Sequence, residues 1–273
     1  MGRVSTTARQ SVKLAAAAVD GLRQPQRGVN ILLYHRVGAR SALEVDLPAP
    51  LFRSQMQALA ASGRVVTLDQ ALAQLSAESM PESDPVVVTF DDGTADVVDV
   101  AVPILADAGV PAFLYLSTAF VEEGRCFPVD GKPASWAGLA DAIGSGVLNV
   151  GSHTHEHLLL DRLSELEAAE QLDRSVALIG DRLGVRAEHF AYPKAVPPNP
   201  SAEIAVKRRF KSAALAGGGS NPYLTGDVYR LARSPIQRSD GMGWFRRKAA
   251  GGLALEGWLR DLASRSRYAR AVT

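Results

Sequence analysis

From Val29 onward, short apolar runs rich in β-branched and aromatic residues alternate with longer segments of helical periodicity, and this alternation constrains the chain more than any other feature. The runs fall at residues 29–34, 86–90, 112–116, 147–150, 189–192, 212–215 and 229–233. Several are apolar at every position, as strands of a parallel sheet are when helices cover both faces. Seven of them, separated by helices, predict an α/β fold with a closed or nearly closed barrel.

The helical segments have recognisable starts and stops. Ser164-Glu-Leu-Glu167 is a capping box, followed by Leu166, Leu172, Val176, Ile179 and Leu183 on a mostly 3.6-residue period, and Gly184 ends that helix. Residues 51–62 place Phe52, Met56 and Leu59 on one face; residues 95–108 do the same with Val97, Val98, Ala101, Ile104 and Leu105, with Pro103 as an irregularity. These stripes read as core. Gly217 to Gly219 lack both the Lys-Ser/Thr and the GxGxxG context of a phosphate loop, so they read as a flexible connection.

The chain has 273 residues, 47% of them hydrophobic, enough to bury roughly three quarters of its unfolded surface in one large domain. We assign that domain to residues 29–273 and treat residues 1–28 as an N-terminal extension, helical or disordered. Thirty Lys+Arg against 29 Asp+Glu leave a net charge of +1, so no global field draws the chain to nucleic acid or an anionic membrane. The single Cys126 excludes an intramolecular disulfide. Arg3, Arg9 and Lys13 ahead of residues 14–19 superficially suggest a signal peptide. That apolar run is short, mostly alanine and closed by Asp20, and it reads instead as an amphipathic helix over residues 7–23. No apolar stretch approaches the roughly 20 residues of a membrane span. Residues 251–270 intersperse Leu253, Leu255, Trp258, Leu259 and Leu262 with arginines, which reads as a closing helix, with a membrane-surface or partner helix as the alternative.

Two clusters carry chemistry. Asp91 and Asp92 follow the apolar run 86–90 and precede Gly93, where a strand end turns into a loop; paired carboxylates there need a metal, an arginine or a shared proton to offset their repulsion. Three of the five histidines, His153, His155 and His157, lie within five residues after another predicted strand. Two neutral imidazoles with one carboxylate form a catalytic zinc ligand set with a position left for water. His153 and His157 share a side in an extended segment or in one helical turn; His155 joins them only when extended.

Thr89-Phe90-Asp91-Asp92-Gly93 and His153-Thr154-His155-Glu156-His157 resemble the two motifs of the polysaccharide deacetylases of the NodB-homology type, carbohydrate esterase family 4. Weaker matches run from Tyr34-His35-Arg36-Val37 through Trp136 and Gly151-Ser152 to Phe190-Ala191-Tyr192-Pro193, so the resemblance covers about residues 29–245. It implies a distorted (β/α) barrel of about seven strands and one divalent metal ion, zinc first, with cobalt, manganese or nickel as alternatives. Asp92, His153 and His157 would be the metal ligands, and Asp91 the general base that takes a proton from a metal-bound water attacking an acetyl carbonyl. A backbone N–H near the Tyr192-Pro193 turn would help hold the oxyanion.

The sequence also departs from the family pattern. No histidine follows His189, so the usual late Leu-x-His general acid is missing; His35, His155 or Asp91 itself would have to return the proton. Ala191-Tyr192-Pro193-Lys194-Ala195 stands where many relatives carry Arg-Pro-Pro-Tyr-Gly, so an arginine to hold the aspartate must come from elsewhere, and Arg233 is the candidate. Trp136, Tyr192 and Pro193 are candidate substrate contacts, with Trp244 as a further stacking candidate. His189 reads as a strand-end histidine rather than a ligand. The implied activity is metal-dependent N-deacetylation of an N-acetylated glycan or oligosaccharide; an O-acetyl esterase and an inactive glycan-binding barrel are the alternatives. Neither nucleic-acid binding nor a transmembrane span is expected, and the expected location is the cytoplasm or the inner membrane surface.

Overall fold

The computed structural model describes residues 6–22, 25–260 and 262. Among these, the strands are β1 (Gly28–Tyr34), β2 (Arg36–Val37), β3 (Asp46–Leu47), β4 (Val86–Asp92), β5 (Ala112–Leu116), β6 (Leu148–Ser152), β7 (His189–Ala191), β8 (Ser212–Ala214), β9 (Asn221–Pro222) and β10 (Ser234–Pro235). The helices are α1 (Thr6–Leu22), α2 (Ala49–Ser62), α3 (Leu68–Leu75), α4 (Val102–Ala108), α5 (Thr118–Glu122), α6 (Trp136–Gly144), α7 (Glu165–Leu183), α8 (Pro200–Lys207) and α9 (Gly243–Ala249).

Seven strands form one curled parallel path, β10-β1-β4-β5-β6-β7-β8, with short β9 antiparallel on β1. Residues leading into β10 cross the seam: Leu231 bridges Ala214, and the Gly217 N–H donates to the Arg233 carbonyl at 2.9 Å. The expected seventh strand at 229–233 is therefore displaced, with regular pairing only at Ser234–Pro235. The expected strand 86–90 extends instead through both aspartates.

Alternation along the strands sorts the core. Val86, Val88 and Phe90 face the helices, packing with Phe52 and Met56 of α2 and with Leu105 of α4. Val87 points inward with Val29, Ile31, Phe113 and Tyr115, and Leu68, Ala71 and Leu75 of α3 join that inner cluster. The interior is narrow. A Cβ on Gly151 would lie 2.4 Å from the His189 carbonyl oxygen and 2.8 Å from the Phe113 ring, so only glycine lets β6 approach its neighbours there.

Residues 97–108 are not one α-helix: a π-helical turn at Val97–Ala101 precedes α4. Pro103 has no N–H to donate back into the preceding turn, which accounts for the irregular ladder. In α7 the capping box forms as read, but Leu166 is 71% exposed and the buried face is Ala168, Leu172, Ser175 and Ile179. At about 100° per residue Leu166 projects from the side of the helix opposite that buried face.

Helix α1 lies against the domain. Its Lys13 is fully buried, with Nζ 2.5 Å from Asp240 Oδ1, and Gln10 Oε1 accepts from the Trp244 indole at 2.8 Å. That bond ties the edge of the Trp244 indole to α1. Residues 254–260 are helical; the remainder of the expected closing segment, 263–270, lies outside the described residues, as do Arg3 and residue 23 of the expected N-terminal helix. Among the described residues no helix is long and apolar enough to cross a membrane.

Candidate functional site

The carboxyl end of β4 sets the site. Period-two alternation continues Val87 to Thr89 to Asp91 on the inner face, so Asp91 points into the barrel mouth. Asp92 belongs by alternation to the other face, but its φ of 77° breaks the strand and swings the carboxylate back. Gly93 completes the bend at φ 99°, where a Cβ would meet Leu116 Cδ1 at 2.2 Å.

Residues 153–157 are neither extended nor a helical turn; they form bends with Thr154 at φ 65° and His157 at φ 60°. The turn still joins His153 and His157 to Asp92: one ligand atom from each lies within 4.8 Å of the others. His153 Nδ1 is 2.8 Å from the Ala191 carbonyl oxygen, which can only accept, so Nδ1 carries the proton and Nε2 presents a lone pair. That lone pair faces Asp91 Oδ2 at 3.8 Å and Asp92 Oδ1 at 3.9 Å, and His157 Nε2 lies 3.5 Å from Asp92 Oδ1. Burial pushes the His157 imidazole down to about 3, helped by His153 and opposed by Asp92 and Asp91, so it is neutral at pH 7. Two imidazoles and a carboxylate converging without mutual hydrogen bonds fit a divalent cation as their common partner.

Asp91 is held differently. Arg233, 1% exposed and so no surface residue, donates from both terminal nitrogens to its two oxygens at 2.6 and 2.8 Å. The same guanidinium donates from Nε to the Leu215 carbonyl at 2.9 Å and lies 5.0 Å over the Tyr115 ring. Burial would raise the Asp91 carboxyl, but Arg233 and then His153 outweigh it and hold it well below the usual carboxylate range. Burial likewise works against Asp92, and His35, His157, His153 and Lys194 bring it below its ordinary value.

His35 follows β1. Its Nδ1 is buried without a hydrogen-bond partner, and its charge couples to Asp92 and Asp91; burial nevertheless keeps its imidazole below the usual histidine range. His155 is buried with Nδ1 2.9 Å from Thr118 Oγ1, outside the ligand group. His189 is equally engaged, with Ser212 Oγ at 2.9 Å and Asp69 Oδ1 at 3.1 Å.

The expected substrate contacts divide. The Tyr192 ring is fully buried against Phe190, which corrects its reading as a stacking platform: no face is open to a sugar. Pro193 is buried as well and shapes the turn. Trp136 is half-buried at the start of α6, its indole donating to Glu122 Oε2 at 2.7 Å. A cavity of about 260 Å³ is lined by residues including Arg36, Arg40, Asp96, Asp130 and Lys132, and by none of the carboxylate-histidine cluster. Sequence reasoning missed the Ala191 carbonyl, since nothing in a sequence shows where a main-chain oxygen points. It noted Lys194 only as a departure from a motif.

A βα half-barrel with a carboxylate-histidine cluster at its carboxyl end defines the class of NodB-type deacetylase folds, and the comparisons agree. The family model described as polysaccharide deacetylase matches residues 79–212, and over them the chain resembles that family. The chain is similar to a putative polysaccharide deacetylase, YxkH, of Bacillus subtilis (strain 168), 24% identical over 165 residues; the match covers 60% of this chain and only 55% of that relative. Among solved structures it resembles IcaB from Ammonifex degensii, with a TM-score of 0.73 and 25% identity, over 83% of this chain and 99% of that one. Streptococcus pyogenes deacetylase PplD in complex with acetate shares the fold at a TM-score of 0.68 and 21% identity, over 80% and 97% of the two chains.

Proposed function

We propose that this protein is a metal-dependent hydrolase that removes N-acetyl groups from an N-acetylated glycan or oligosaccharide. The observation that carries this reading is the pairing of two unlike carboxylates: Asp92 converges with His153 and His157, while Asp91 is engaged by Arg233 beside them. A ligand set alone needs no second, arginine-locked aspartate.

In this reading Asp92, His153 and His157 hold the cation. A divalent ion bound there supplies Lewis-acid polarisation of the acyl oxygen and raises the acidity of a water, which a base as weak as the Arg233-paired Asp91 requires. Asp91 is ionised throughout the neutral range, its carboxylate plane fixed by the guanidinium fork, and accepts the proton from the attacking water. The Lys194 N–H takes part in neither hydrogen bond of the turn, which run from Ala195 N–H to Tyr192 and from Val196 N–H to Pro193, and it is the donor we assign to the developing oxyanion. The proton that Asp91 takes from the water goes to the leaving nitrogen, either returned by Asp91 itself or relayed through His35, whose unprotonated imidazole accepts it before passing it on; His155 and His189 are tied to Thr118 and to Ser212 and Asp69. Residues 1–28 act as an extension carried on a single domain of residues 29–273.

A second reading, O-acetyl esterase, is favoured by one observation: no histidine follows His189, and an ester's better leaving group tolerates a weaker acid. The test is acetate release by zinc-loaded protein from N-acetylglucosamine oligomers and from O-acetylated xylan. Asp91→Asn is expected to lose about 10²–10⁴-fold in turnover while keeping its metal. Full activity in that variant would remove Asp91 as the base, and release from xylan alone would select the ester.

A further inference from the structure

The turn after β7 carries a charge the proposed chemistry does not use. The Ala191 carbonyl fixes His153, the Tyr192 N–H donates to the Ala214 carbonyl at 2.9 Å, and Pro193 is buried, so the start of the turn is anchored to the site. Lys194 then stands exposed at φ 54°, ψ 14°, followed by Ala195 at φ 56°. Two consecutive non-glycine residues in the left-handed region are unfavourable, and the backbone holds them there.

The Lys194 ammonium makes no hydrogen bond and no ion pair among the described residues, although its field reaches His35, Asp92 and His157. Asp91, the other nearby anion, is already committed to Arg233. A free cation at the lip of a centre suited to a second cation is unfavourable by itself. An anion arriving with the substrate makes both positive charges favourable. The acetyl group is neutral, so that anion has to sit elsewhere on the glycan.

We propose that Lys194 is a specificity-determining residue that selects acetylated glycans bearing an anionic oxygen group, a carboxylate or a phosphate ester, close to the acetylated sugar. This rests on the deacetylase reading above. It assigns Lys194's side chain to the substrate's charge and leaves its backbone N–H to the acyl oxygen.

The experiment compares wild type, Lys194→Gln and Lys194→Arg, all full-length and zinc-loaded. The probes are a neutral N-acetylglucosamine hexamer, a hyaluronan hexasaccharide, N-acetylglucosamine and its 6-phosphate; acetate release gives kcat and KM, and calorimetry gives dissociation constants. Lys194→Gln is expected to raise KM and Kd for one anionic probe by about tenfold or more relative to those for its neutral partner. Lys194→Arg retains the preference, and raising salt from about 0.05 to about 0.5 M erodes it in wild type. The anionic probe affected tells carboxylate from phosphate. Equal losses on neutral and charged probes would put Lys194 on the acetyl group common to both and overturn the proposal, as would no loss on either. If no probe releases acetate but calorimetry shows a Lys194-dependent preference for an anionic probe, the deacetylase reading fails and the anion contact stands. If acetate is released and no such preference exists, the reverse holds.

Discussion

Among the described residues, two buried ionic clusters are built to opposite ends. At the barrel mouth, Asp91 is paired with Arg233, while Asp92, His153 and His157 converge on one another at 3.5 to 3.9 Å with acceptor atoms facing inward. On the side where α1 packs, Asp240 is bonded to Lys13 at 2.5 Å and Lys248 at 2.9 Å, and Glu256 to Lys248 at 3.2 Å and Arg260 at 2.8 Å. The second cluster alternates sign and closes on itself, so it holds α1, the loop before α9 and residues 254–260 together. The first alternates sign only at Asp91. A cluster that satisfies its own charges is structural; one that leaves a carboxylate and two imidazoles without a shared donor is suited to an incoming cation.

Breaking each cluster at its cation gives the largest expected contrast in stability. Arg233→Met leaves Asp91 buried with no direct cationic partner and is expected to cost about 3–5 kcal/mol in urea unfolding. Lys13→Met is expected to cost less, about 1–3 kcal/mol, because Asp240 keeps Lys248. Equal losses would mean that the two clusters are energetically alike. Metal content separates them next. His157→Ala and Asp92→Asn are expected to lose most bound zinc by elemental analysis, whereas Asp240→Asn and His155→Ala keep it. Retained zinc in His157→Ala would strike that residue from the ligand set. Conversely, zinc at about 100 times its Kd is expected to stabilise the wild type by about 2.7 kcal/mol and the Asp92→Asn variant hardly at all.

The smallest effect is on the acid limb. Burial raises the Asp240 carboxyl, but Lys248 and Lys13 outweigh it and hold the group below its ordinary value. A carboxyl depressed on folding contributes stability that is complete above its unfolded value, about 3.9, and is lost as pH falls through the folded one. Asp240→Asn is therefore expected to flatten the urea-midpoint profile below about pH 4, and an unchanged slope would place the acid sensitivity in other carboxylates.

Much of the fold was legible because its strands are buried on both faces, so that 29–34, 86–90 and 112–116 stand out as apolar runs. The last strand was misplaced by several residues: the seam rests on one bridge at Leu231 and two pairs at β10, too short to leave a pattern. Leu166 was misread because it was counted with an apolar stripe from which, at about 100° per residue, it points away. In the site, motif spacing brought Asp91, Asp92, His153 and His157 to notice. The same residues gave no hint that Asp92 and His157 reach the cluster through left-handed backbone, because spacing specifies separation and not dihedral angles.

The sequence by itself determined the βα alternation and the four residues of the carboxylate-histidine pair of motifs, because these are local periodicities or short spacings. Only the tertiary structure decided that Arg233, 142 positions from Asp91, engages it with both nitrogens, that the Ala191 carbonyl sets which nitrogen His153 presents, that Tyr192 is core, and that Lys13 is buried. Those outcomes depend on which chain segments closure of the sheet brings within 3 Å of one another, and no local pattern encodes a contact between residues that distant.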